Sequence, residues 1–272
     1  MKQKTGFRDS LSTVHRSLST VHRSLFTLLT LSLLAALAPQ AQAQVKITGG
    51  ITNKYRLSGV TYYSHTFTNT QAITVLGDAD VTYLCVAGGA GGAAHNSDFV
   101  GGGGAGGMLT GPFTLSNGVS YTVNVGAGGA GSGIEGQGGN GYPSYVTNNS
   151  GGAALVATVG GGGGGDWADG STGGSGGGGS QHGFKGGAGT PGQGNRGGPS
   201  YNGAGSGGGA GGVGNSGNGT AGGAGLASSI RFGIPVTYAA GGACLAYGTD
   251  GANNTGNGGS SGKSTANGGN PI

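Results

Sequence analysis

Gly160-Gly161-Gly162-Gly163-Gly164-Gly165 is six glycines in a row. It opens a stretch, to Gly223, in which glycine is the polymer and not its punctuation. Gly176–Gly179 and Gly207–Gly209 are further runs within it. Between the runs stand short inserts: Asp166-Trp167-Ala168-Asp169, Gln181-His182 with Phe184-Lys185, and Pro199-Ser200-Tyr201-Asn202. Glycine has no side chain to bury, so the stretch builds no ordinary core. Either it stays disordered, the default for glycine-rich sequence without a period, or backbone packs directly on backbone.

The flanking sequence decides between these. Val81–Ala87 (VTYLCVA) is a strand apolar on both faces, a pattern that predicts burial on both faces. It runs straight into Gly88-Gly89. Val119–Val125 alternates Val119, Tyr121, Val123 and Val125 with polar residues, and runs into Gly126. Ala153–Val159 enters Gly160, and Val236–Ala239 enters Gly241. Tyr62–Thr68, Ala72–Leu76, Pro112–Ser116, Pro143–Thr147 and Ser229–Phe232 complete the strands predicted from β-branched and aromatic content. Asn117-Gly118, between Pro112–Ser116 and Val119–Val125, predicts a type I′ hairpin. A disordered linker has no reason to keep an apolar strand in front of each glycine run. No helical period occurs after the leader.

An extended glycine chain adopts a left-handed threefold helix of the polyproline II type, rising about 3.1 Å per residue. Such helices have no internal hydrogen bonds, so their N–H and C=O groups reach neighbours. Without Cβ atoms the backbones approach closely, and Cα–H···O contacts add small increments. The expected fold is all-β: an antiparallel β-sandwich base carrying a bundle of polyglycine II helices, with no α-helix after the signal peptide. Collagen is excluded, because the 73 glycines do not recur every third residue and only 7 prolines occur.

The net charge of +4 resides in the leader, where Lys2, Lys4, Arg8, Arg16 and Arg23 face only Asp9 within residues 1–43. The rest is neutral, which argues against nucleic acid as a partner. That leader reads as a Sec-type signal peptide. A basic region, lengthened by the tandem repeat of SLSTVHR, precedes the apolar Leu25–Ala38. Ala41-Gln42-Ala43 then sets cleavage between Ala43 and Gln44. That stretch is fourteen residues long, short for a bilayer span, and no later segment reads as transmembrane. Residues 44–61 read as an N-terminal linker, 62–260 as the glycine-rich domain, and 261–272 as a tail whose abrupt end at Pro271-Ile272 suggests truncation. Cys85 and Cys244 sit in apolar contexts. In an exported chain they either form a disulfide or stay buried as free thiols.

Motifs that glycine-rich sequence imitates fail on context. Gly126-Ala127-Gly128-Gly129-Ala130-Gly131 satisfies G-x-G-x-x-G, but no helix follows to receive a pyrophosphate. Gly262-Lys263-Ser264 lacks the first glycine of a phosphate loop, since Asn257 stands there. Two G-x-S-x-G matches, at Gly173 and Gly258, are the number chance provides in this composition, so no nucleophile elbow is inferred. Gly161–Asp166 fits the start of a calcium-binding nonapeptide, but Ala168 is a poor apolar residue there and no neighbouring repeat occurs. His65, His95, His182 and the scattered acids form no catalytic or metal spacing. No catalytic residue, cofactor or metal is therefore expected. The aromatics of the inserts, Phe99, Trp167, Phe184 and Tyr201 with His182, are the candidate ligand contacts. Aromatics beside Asn, Asp and Gln suit sugar or protein surfaces, while the plainer reading is that they cap the glycine runs.

The strings Tyr83–Gly89 (YLCVAGG), Gly111–Leu115 (GPFTL) and Tyr121–Gly129 (YTVNVGAGG), with Val156–Gly160 and Val236–Gly242, resemble a glycine-rich domain family found in bacterial exported and phage tail proteins. More distantly they are similar to the extracellular glycine-rich region of anaplastic lymphoma kinase and its leukocyte relative. The resemblance covers about residues 62–260. It implies the β-plus-polyglycine architecture, an extracellular setting, and binding through loops at the ends of the bundle. The functional expectation is an exported, non-enzymatic, adhesin-like surface protein whose partner is a glycan or a cell-surface protein. The alternatives are a purely structural matrix scaffold and, third, an ice-binding protein, for which no regular Thr or Ala file is visible.

Overall fold

The computed structural model describes residues 45–217 and 220–244. The leader, its cleavage site at Ala43 and Gln44, and the tail lie outside the described residues. Among the described residues there are eleven strands: β1 Lys46–Thr48, β2 Ile51–Leu57, β3 Val60–Thr66, β4 Gln71–Leu76, β5 Ala79–Val86, β6 Met108–Leu115, β7 Ser120–Asn124, β8 Ser144–Asn148, β9 Val156–Thr158, β10 Leu226–Ser228 and β11 Val236–Tyr238. Among the described residues there is no helix, hence none long and apolar enough to cross a membrane. The fold is all-β.

One sheet has five strands in the order β1-β4-β7-β8-β9, every pairing antiparallel. β5 and β6 form a separate antiparallel ribbon. Alternation places Ile73 and Val75 of β4 and Tyr121 of β7 on one face of the large sheet. They meet Ala79 of β5 and Leu115 of β6 in a shared core, walled by Phe113, Val123 and Val146. Phe113 and Tyr121 cross edge to face at 6.1 Å. This is a small sandwich, and the glycine tracts grow from it.

Four local expectations change. Asn117-Gly118 does not close a hairpin, because β6 and β7 belong to different layers. Only Gly118 takes a positive φ, whereas a type I′ turn needs two. The turn is instead fastened across the sandwich: Asn117 N donates to Asp78 Oδ1 at 2.8 Å, Gly77 N to Asn117 Oδ1 at 2.9 Å, and Gly118 N to Val75 O at 2.8 Å. Residues 44–61 are not a linker. They hold β1, β2 and the start of β3, whose mixed polarity reflects a ribbon with much of its surface in solvent. Ser229–Phe232 is a turn and not a strand, bridged by Gly233 N to Ser229 O at 2.8 Å, with Gly233 at φ 74°; the strand there is β10. β5 is not buried on both faces, for its middle is half-buried and Asp80 and Thr82 are exposed.

No disulfide joins Cys85 and Cys244. Cys85 Sγ lies 3.4 Å from Thr158 Oγ1 and 3.6 Å from Ser144 O. Burial pushes its thiol pKa up, and the Thr158 hydrogen bond opposes this only in part.

The glycine tracts bond with a period of three. Ala87, Ala90 and Ala93 donate to Gly107, Gly104 and Gly101. Gly88, Gly91 and Ala94 donate to Tyr142, Gly139 and Gly136. The carbonyls of Gly89 and Gly92 accept from Gly129 and Ser132. Each third of the tract 87–94 thus faces its own neighbour. The tract 160–165 is buried throughout and bonds to four others, 87–94, 101–107, 136–142 and 170–179. A Cβ on any of its six glycines would lie 1.9–2.2 Å from a carbonyl oxygen. Glycine is required there by proximity and not by dihedral freedom.

Candidate functional site

The register of these bonds sorts the tracts by direction. Those leaving β5, β7, β9 and β11 run away from the sandwich. Those entering β6, β8 and β10 run back, so 87–94 is antiparallel to 101–107 and 136–142, and parallel to 126–131 and 160–165. The outward tracts leaving β5, β7 and β9 therefore end in inserts at the far end of the bundle. Residues 95–100, 132–135, 166–169, 180–184 and 199–203 all lie there, and so does every residue the sequence nominated for ligand contact.

Neighbouring tips are fastened to one another. Gln181 N donates to Phe99 O at 3.0 Å, and Ala168 N to Ser180 Oγ at 3.2 Å. Gly183 N donates to Ser200 Oγ at 2.7 Å, Ser200 N to Phe184 O at 2.9 Å, and Tyr201 N to Ser216 Oγ at 2.9 Å. Three non-glycine residues in adjacent tips hold left-handed backbones: Trp167 at φ 46°, His182 at 72° and Asn202 at 57°. Each such residue costs about 1–3 kcal/mol, which its surroundings must offset.

The strain presents side chains. Trp167, 55% exposed, stacks on His182 with centroids 4.8 Å apart, and His95 meets its ring edge-on at 6.4 Å. His95 Nδ1 lies 3.7 Å from Asp98 Oδ2, and the Asp98 carboxylate accepts from Gln181 Nε2. Glu135 Oε1 accepts from Asn96 Nδ2 at 3.4 Å. Asp166, next to Trp167, has its Oδ1 buried without a hydrogen-bond partner. Burial raises its carboxyl pKa; His95 and a Gly136 backbone hydrogen bond lower it, while Glu135 and Asp98 add to the rise. The result is a polar, acid-rich rim around one preset aromatic pair.

Of the nominated residues, Trp167 and His182 come together. Phe99 and Phe184 are half-buried and serve their neighbours through backbone carbonyls. Tyr201 stands apart, 72% exposed. His95, Asp98 and Asp166 were not nominated. Their signal was available, since each lies in or beside a non-glycine insert, but tip adjacency depends on tract register, which glycine runs do not encode locally. Among the described residues no group of three or more His, Cys, Asp or Glu side chains is placed to hold a metal ion.

A family model described as a glycine-rich domain matches residues 65–271. No curated protein and no solved structure matches the chain.

Proposed function

The chain belongs to the glycine-rich domain family, and on that premise we propose that it is an exported, non-enzymatic surface protein that binds glycan or protein through the tips of its bundle. The observation that carries this reading is the Trp167–His182 stack, held in left-handed backbone and set among His95, Asp98 and Asp166. Surface aromatics combined with acids and amides are the usual means of gripping a sugar ring or a peptide edge, and loops on a rigid scaffold are where binding concentrates. Export rests on the leader sequence, and the non-enzymatic role on the absence of any catalytic spacing in the sequence. The test is binding of the mature chain to cell surfaces and to a glycan array. Replacing Trp167, Phe184 and Tyr201 together by alanine should abolish it; undiminished binding would overturn the proposal.

The second reading is a structural scaffold without a dedicated ligand. The backbone bonds that tie each tip to the next favour it, because they close the bundle end as caps would. A chain that binds no glycan or cell surface, yet assembles into an insoluble matrix, fits this reading.

A further inference from the structure

Among the described residues β2 and β3 pair only with each other, as a two-stranded ribbon. Its root is fixed. Asn53 Nδ2 donates to Arg231 O at 3.1 Å, the Tyr55 hydroxyl to Ile230 O at 2.8 Å, and Ser64 Oγ to Arg231 O at 2.7 Å. Those carbonyls belong to the turn between β10 and β11, so the ribbon stands at the sandwich end, opposite the tips. Its far half is bare: every residue from Lys54 to Tyr63 is exposed, apart from the half-buried Tyr55. Ser58 and Gly59 take φ of 50° and 83°, the two positive values that a type I′ turn needs. So tight a turn makes Leu57 and Val60 the facing pair that leads the ribbon, 47% and 53% exposed.

Register sorts the other side chains. Tyr55 and Tyr62 share the face of Leu57 and Val60, and their rings stack at 5.5 Å. Lys54, Arg56 and Tyr63 share the opposite face. Lys54 Nζ lies 5.5 Å from the Tyr63 ring centroid, and Arg56 donates to Gly59 O at 3.0 Å, which keeps a guanidinium beside the turn. No Asp or Glu occurs in residues 45–77 or 221–244, so neither the ribbon nor the segment that holds it offsets these cations. Asp80, which borders the same cleft as Tyr62 and Tyr63, accepts a hydrogen bond from Thr114 Oγ1 at 2.7 Å. An apolar turn, tyrosines behind it and uncompensated cations beside it together match one kind of surface. Tyrosine concentrates at the headgroup level of a bilayer, and each Lys or Arg gains from anionic lipid. A second copy of the ribbon would set like charges against Lys54 and Arg56, and a soluble polyanion would leave Leu57 and Val60 in water.

We propose that the β2–β3 ribbon docks end-on against an anionic lipid bilayer. Leu57 and Val60 enter the boundary between headgroups and acyl chains, Tyr62 and Tyr63 lie at headgroup level, and Lys54 and Arg56 meet the phosphates. The contact is reversible, because two apolar side chains bury less than one acyl anchor does. It holds the sandwich to the lipid surface and leaves the tips turned away from it. No tip residue takes part, so the contact is independent of ligand binding at the tips.

The test sediments the mature chain with phosphatidylglycerol vesicles and, separately, with phosphatidylcholine vesicles. Binding to the first should be roughly tenfold tighter at low salt and should weaken as salt rises. Leu57→Ser with Val60→Ser, and in another chain Lys54→Gln with Arg56→Gln, should each weaken it roughly tenfold. Thermal melts check that both chains fold. Val60→Trp should add emission that moves to shorter wavelength on phosphatidylglycerol vesicles, a reading that needs no loss of binding. Replacing Trp167, Phe184 and Tyr201 by alanine should leave vesicle binding unchanged, which separates this contact from ligand binding at the tips. Equal binding to the two vesicles, or none to either, overturns the proposal. So does binding that survives the loss of Leu57 and Val60, the mark of a contact made by charge alone. A dimer in solution that the Leu57→Ser, Val60→Ser chain no longer forms would make a second copy the occupant, and also overturn it.

Discussion

The Trp167 indole lies on the His182 imidazole with planes 23° from parallel, and both residues reach this contact from left-handed backbone, at φ 46° and 72°. Two opposing quantities meet here. The stack is worth roughly 0.5–1.5 kcal/mol, and the strained backbone costs about as much per residue. His182→Gly removes both, so its thermal midpoint should stay within a few degrees of the wild type. His182→Ala loses the stack and keeps the strain, and should unfold with about 1 kcal/mol less stability. Thermal melts of both variants decide this; equal destabilisation would mean that the backbone is not strained. Under the proposed function both variants lose ligand binding.

Gly163 and Gly133 should differ sharply. A Cβ at Gly163 would lie 1.9 Å from Gly138 O, deep in the bundle, whereas at Gly133 it would meet nothing within 4 Å. Gly163→Ala must push two bonded tracts apart and should cost about 3 kcal/mol or more, enough to leave much of a marginal chain unfolded. Gly133→Ala should stay within about 0.5 kcal/mol of the wild type. Urea denaturation reads both.

Asp166 makes stability depend on pH. Burial raises its carboxyl pKa in the folded state, so the folded chain holds the proton more tightly than the unfolded chain does. That contribution is fully present below the ordinary carboxylate range and is lost as pH rises through the raised value. At neutral pH the ionised group, with Oδ1 unpartnered, is a net cost. Asp166→Asn should therefore raise the melting temperature at pH 7, by an amount that shrinks toward pH 4. A gain of constant size across this range would contradict the assignment.

The two cysteines should behave as thiols not joined by a disulfide. Denatured protein purified without reductant should titrate two free thiols, and intact native protein should alkylate slowly at Cys85, because burial disfavours the reactive thiolate. A mass two daltons low, restored by reductant, would show that Cys85 and Cys244 had paired.

The sequence announced some elements clearly. β4, β7 and β9 were legible because their β-branched alternation and the glycine after β7 and β9 are local signals. The pairing of those strands was not. Asn117-Gly118 looked like a hairpin because turn chemistry is local, while the choice between folding back and crossing to the other layer was made by Asp78 and Val75, forty residues away. β1 and β2 were missed because Lys46, Asn53, Lys54 and Arg56 blur the period in a largely exposed ribbon. At the tips, Trp167 and His182 were recognised as large residues among glycines. Their contact was not, since it follows from the registers of separate tracts that all read alike.

The glycine lattice has one calorimetric consequence. Unfolding an ordinary domain wets apolar side chains, which raises the heat capacity by about 0.45 cal/K/mol per Å², while wetting polar groups lowers it by about 0.26. Melting tracts such as 160–165 exposes mainly peptide groups, because the atoms packed closest against these glycines are the backbone of other segments. The heat-capacity increment per residue should fall well below the usual ~12–15 cal/mol/K. The stability curve then flattens, and the domain loses little on cooling where a core of leucines would weaken.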